Sequence, residues 1–153
     1  MTTQATSQIP RSALVLGWLG VMPFVALSLL AVTGGVLPSG NAMRWLATYG
    51  LIILSFMGGA QWGLAMQAAG SQDGAKGAGL GISLLPALVA FGLSFLPARS
   101  ALLGLSAAFV ALLAYDLWTA RAGTAPAWYP ALRVQLTGAV VICLLTTAIL
   151  GRS

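Results

Sequence analysis

The sequence contains no histidine, so a histidine-bound metal, a histidine-ligated haem and a Ser-His-Asp triad are all excluded. Its single cysteine, Cys143, excludes an internal disulfide and any four-thiolate zinc or iron–sulfur centre. Acidic residues number two and basic residues seven, so charged side chains make up 6% of the 153 positions, where soluble domains carry about 25%. The basic residues stand singly and form no patch, which removes a nucleic-acid footprint despite the formal charge of +5. No catalytic, cofactor-binding or metal-ligating set can be assembled from what remains. What the chain has instead is apolar mass: 59% of it is hydrophobic. A surface with so few charges cannot be covered against water, so most of the exterior is expected to meet lipid.

The apolar residues fall into five runs at about 13–36, 44–67, 78–96, 100–119 and 130–150. Each is roughly 19–24 residues long, which at about 1.5 Å per residue matches a hydrocarbon core of about 30 Å. Lipid offers backbone N–H and C=O groups no partners, so helix is the conformation such runs must take. The expected fold is all-α: an integral membrane bundle of five transmembrane helices in a single domain, 13–150, behind a polar N-terminal tail, 1–12. The first run is longer than the apolar core of a signal peptide, about 7–15 residues, and is read as a retained anchor. Leu37-Pro38-Ser39-Gly40-Asn41, the polar stretch Gly70–Gly77, Pro97-Ala98-Arg99 and 120–129 are the connections. Pro23 and Pro86 lie inside runs and should kink them, each leaving a carbonyl for a neighbour or a water to satisfy.

Five spans put the termini on opposite sides. Arg11, Lys76, Arg121 and Arg133 then share the N-terminal side, against Arg44, Arg99 and Arg152, which by one charge makes that side cytoplasmic. Trp118, Trp128 and Tyr129 mark one interface, Trp45 and Tyr49 the other.

Helices in lipid associate through close packing and hydrogen bonds, because the tails are as apolar as leucine. Ser55, Gly59 and Gly63, spaced four apart, form a small-residue stripe suited to backbone contact, and Gly77 and Gly81 repeat it in the third run. The glycine-rich Gly77–Gly81 stretch lacks the preceding strand and lysine–hydroxyl pair of a phosphate loop, so it too reads as packing.

Ionisable groups in a membrane need a partner or a purpose. Asp116 is the sole acidic residue inside a run, about one turn from the end of the fourth. Arg133 lies about one turn into the fifth, at matched depth if the two helices are antiparallel neighbours, and an Asp116–Arg133 ion pair is expected. Gln61, Tyr115 and Gln135 fall in the same half of the membrane and complete a candidate intramembrane polar cluster. The cluster either locks the bundle by satisfying itself or contacts a quinone, a lipid headgroup, a proton path or another subunit. Trp62 is expected to pack with its N–H bonded to a neighbouring helix, and Cys143 to be an inert small hydrophobe. Thr146 and Thr147 are expected to bond back to their own helix.

Tyr49-Gly50 followed by Leu54-Ser55-Phe56-Met57-Gly58-Gly59-Ala60-Gln61-Trp62-Gly63 resembles the central signature of the uncharacterised transmembrane-protein-69-like family of bacterial and mitochondrial multi-pass proteins. Pro126-Ala127-Trp128-Tyr129-Pro130, then Leu132-Arg133 and Leu136-Thr137, resembles its second signature, with Asp116 at a compatible distance before it. The likeness runs from about Ala13 to Leu150. It implies a small protein of the bacterial inner membrane, or of the mitochondrial one in a eukaryote, and brings no catalytic residue, cofactor or substrate with it.

Three functions compete. The small size and packing faces favour a non-catalytic accessory or assembly factor of a larger, energy-transducing membrane complex. A small oligomeric transporter or channel is the alternative, although five runs show no inverted repeat. A lipid- or quinone-handling enzyme comes third, since only Asp116, Arg133 and Gln61 could serve it.

Overall fold

The computed structural model describes residues 9–34, 39–68, 76–121 and 128–151, and for 39–40, 64–68 and 76–82 it describes the backbone alone. The described residues form five helices: α1 Arg11–Thr33, α2 Ser39–Ala68, α3 Lys76–Leu93, α4 Ala98–Arg121 and α5 Tyr129–Leu150. The chain is an all-α bundle. Among the described residues, α1, α4 and α5 are long and apolar enough to cross a membrane, whereas α3 offers the shorter apolar stretch Ser83–Leu93. Five clear spans were expected and three are found. In α2 the apolar run is diluted by Arg44 at its start and Gln61 within it.

The helix ends follow from local chemistry. Gly34 terminates α1 with φ 67°, a left-handed conformation that glycine adopts without a Cβ penalty, and its N–H bonds to the Leu30 carbonyl. Pro130 sits in the first turn of α5, where a missing N–H costs nothing. α1 runs unbroken through Pro23. The Tyr49 hydroxyl of α2 donates to the Gly20 carbonyl at 3.0 Å, one residue from the Leu19 carbonyl that Pro23 cannot serve. Tyr49 is thus a clamp between helices, with its ring edge-on to Phe24 at 4.9 Å, rather than the interface anchor its position suggested.

α2 touches α1, α3 and α4; α4 touches α5, α2 and α3; α1 and α5 close the bundle by packing on each other. The core lies between α1, α2, α4 and α5, filled by Phe24, Leu46, Leu54, Leu102, Leu105 and Leu144. Outside that core the usual pattern is inverted. Val15, Leu16 and Leu19 of α1, Leu85 and Leu88 of α3, and Ile142 and Ile149 of α5 are exposed, while Ser28, Ser106, Asp116, Arg133, Thr137 and Thr147 are buried. Such a surface is stable against hydrocarbon and not against water.

Buried polar groups tie the helices together. Thr147 of α5 donates to the Ser28 hydroxyl of α1 at 2.8 Å, and Ser28 donates to the Cys143 carbonyl at 3.2 Å. Thr147 therefore reaches across to α1 instead of bonding back to its own helix as expected. Near the start of α4, Arg99 Nε donates to the Ala148 carbonyl at 2.6 Å and Nη2 to that of Ile149 at 3.2 Å. A guanidinium there satisfies orphan carbonyls at the C-terminus of α5 and suits the negative end of its dipole.

Candidate functional site: an ion pair between two cavities

The opposite end of the α4–α5 pair carries the charged cluster. Asp116 lies five residues before the end of α4, and Arg133 four residues after the start of α5. α4 and α5 pack on each other as antiparallel neighbours, so the two side chains meet at equal depth. Arg133 Nε donates to Asp116 Oδ2 at 2.5 Å, with side-chain exposures of 9% and 5%. Gln61 of α2 donates from Nε2 to the other carboxylate oxygen, Oδ1, at 2.6 Å. Both carboxylate oxygens are thereby served by donors on different helices, which is what a desolvated carboxylate requires.

The guanidinium is served less fully. Nη1 points to the Met57 thioether sulfur at 2.9 Å, a weak acceptor, and Nη2 is buried with no hydrogen-bond partner. Met57 was not part of the expected cluster. It precedes Gln61 by four residues on α2, so the i,i+4 spacing that puts both on one face was available in the sequence. Tyr129, placed only at the interface by its sequence position, lies within electrostatic reach of both Asp116 and Arg133.

Two expected members stand apart. Tyr115 packs its ring near Trp118, centroids 6.1 Å apart, and makes no hydrogen bond to the cluster among the described residues. Gln135 is exposed on the outer face of α5. It follows Arg133 by two residues, about 200° around a helix, so the two point in opposite directions. Trp62, next to Gln61, is exposed rather than enclosed, although it is not without a partner.

The small-residue stripe also differs from expectation. Ser55 is half-buried and bonds back to the Leu51 carbonyl at 2.9 Å, while Gly59 and Gly63 face open space. The close approaches use another face of α2. A Cβ on Gly58 would lie 2.7 Å from the Ser83 carbonyl oxygen of α3, and one on Gly50 would meet Leu105 of α4 at 2.8 Å. Gly77 and Gly81 belong to α3, but their surroundings lie outside the described residues.

Two cavities flank the ion pair. One of about 290 Å³ lies between α2, α3 and α4 and reaches Gln61 and Tyr115. The other, about 270 Å³, lies among α1, α2, α4 and α5 and reaches Arg133 and Met57. Both are otherwise lined almost wholly by apolar side chains. Among the described residues no group of three histidine, cysteine or carboxylate side chains is placed to hold a metal.

The family described as "Protein of unknown function (DUF3429)" matches residues 9–149, nearly the whole chain. The chain belongs to this family. The matched residues take in the five helices to within the last residue of α5, and with them Gln61, Asp116 and Arg133. The chain is also similar to Transmembrane protein 69 of Xenopus tropicalis, 37% identical over 156 aligned positions that cover 95% of this chain. It spans 57% of that relative's length. No solved structure matches the chain. The family resemblance read from the two signatures is thereby established, and with it a multi-pass membrane protein; the family's description assigns no activity.

Proposed function

We propose that this protein is a non-catalytic accessory or assembly component of a larger, energy-transducing complex of the inner membrane, crossing it five times with a cytoplasmic N-terminus. The observation that carries this reading is the outward face of α2. Gly59 and Gly63 leave an open surface on the exterior that no described residue of this chain covers, flanked by exposed Phe56 and Trp62. Small-residue surfaces of this kind are where membrane helices approach one another most closely. The ionisable groups support the same reading from the other side. Asp116 is fully engaged by Arg133 and Gln61, which leaves no free carboxylate in the cluster for acid–base work.

A tagged copy expressed at native level and extracted in mild detergent should migrate on a native gel with a larger, stoichiometric partner. Gly59→Leu should abolish that co-migration while leaving the protein's abundance unchanged. Migration as a lone monomer would contradict the proposal. A second reading, a small oligomeric transporter, draws on the two cavities beside the ion pair. Flux in liposomes that disappears in Asp116→Asn would favour it.

A further inference from the structure

Arg133 is the one buried cation of the bundle among the described residues, and its Nη2 has no partner. A native structure rarely leaves such a donor unsatisfied. The same side chain lines the cavity of about 270 Å³, together with Leu16, Gly20, Met57, Phe109 and Leu136. Leu16 and Phe56, both on this lining, are 68% and 66% exposed, so the cavity opens toward the lipid. Its volume is near the lower bound of ligand pockets, about 300 Å³, which suits one ring or a stretch of one chain rather than an entire lipid.

Charge decides the class of ligand. Asp116 already neutralises Arg133, so a second anion would place a net negative charge in a low-dielectric site. A neutral acceptor carries no such penalty. A carbonyl oxygen is also a stronger acceptor than the Met57 sulfur now facing Nη1, and Met57, being flexible, can yield to it.

We propose that the cavity among α1, α2, α4 and α5 binds a neutral, carbonyl-bearing apolar molecule whose carbonyl oxygen accepts from the Arg133 guanidinium. Two membrane constituents offer that chemistry, the ester of a bilayer lipid and the ring of an isoprenoid quinone. The site borders the α2 exterior on which the accessory reading rests at Phe56, while Gly59 and Gly63 lie outside its lining.

The test uses the full chain purified in dodecyl maltoside, a detergent without a carbonyl. Native mass spectrometry then measures binding of three probes: dioleoyl phosphatidylcholine, its diether analogue, and decylubiquinone. A hydrogen bond to a charged donor corresponds to a preference of about tenfold or more for a carbonyl-bearing probe over the diether lipid. Gly20→Leu should abolish that preference, because Gly20 lines the cavity and a Cβ there meets nothing within 4 Å. Leu16→Trp, at an exposed position on the same lining, blocks the mouth without touching the core and serves as the second variant. Preference for the ester lipid alone names a lipid site, and preference for decylubiquinone alone a quinone site. Equal binding of all three probes, or a preference that survives both variants, would overturn the proposal.

Discussion

Asp116 of α4 and Arg133 of α5 meet at 2.5 Å with both side chains more than nine-tenths buried, at one end of a helix pair whose other end is held by Arg99. The two clamps use opposite logic. Arg99 relieves backbone carbonyls at a helix terminus, whereas Arg133 and Asp116 relieve each other. Together they fix the antiparallel register of α4 against α5.

Removing one partner of the buried pair strands the other. Asp116→Ala should destabilise the protein by about 3 kcal/mol, since an uncompensated buried charge costs more than the pair contributes. Asp116→Ala combined with Arg133→Leu should recover most of that loss. Thermal unfolding in mild detergent measures both, and a double variant no better than the single would show that the two residues do not act as a pair.

Gln61 contributes less. It donates a single bond to a carboxylate that keeps its arginine, so Gln61→Leu should cost about 1 kcal/mol, between the mean for membrane hydrogen bonds and that for charge-assisted ones. The same unfolding measurement ranks it. A loss equal to that of Asp116→Ala would mean that Gln61, not Arg133, holds the carboxylate.

Gly58 and Gly59 are neighbours with opposite roles. Gly58→Ala drives a Cβ against the Ser83 carbonyl of α3 and should destabilise by about 1–3 kcal/mol, whereas Gly59→Ala meets open space and should leave the isolated protein unchanged. Equal effects at the two positions would contradict the packing of Gly58, rather than Gly59, against α3.

Arg99→Met should loosen the end of α5 without unfolding the bundle, at a cost of about 1 kcal/mol. Hydrogen exchange of the amides in the last turn of α5 should quicken while those around Val140 stay protected. Unchanged exchange would mean that the carbonyls of Ala148 and Ile149 do not depend on the guanidinium.

Much of the fold was legible because lipid leaves an apolar run few options. Once a run must satisfy its own backbone, its length names a helix, and the runs at 100–119 and 130–150 lie within α4 and α5. The Asp116–Arg133 pair was legible for a similar reason: two charges at equal depth on consecutive helices have nowhere else to go. Rotation about the helix axis was harder to read. Gln135 shares the depth of Arg133 but faces away from it, a fact that the 100° step of an α-helix contains and depth alone does not. On α2, Ser55, Gly59 and Gly63 formed the more regular small-residue stripe, yet Gly50, Leu54 and Gly58 face the other helices. Which stripe turns inward depends on where α3 and α4 stand, and that is a property of the assembled bundle. Met57 shares a helix face with Gln61, but a thioether is rarely counted among polar groups.

On the proposed reading the outward face of α2 meets another protein. A photoreactive residue placed at Gly59, with a control at lipid-facing Ile142, reports what lies against that face in intact membranes. Cross-linking from position 59 to a distinct, larger polypeptide, and none from 142, is the predicted result. Adducts to lipid alone at both positions would contradict it.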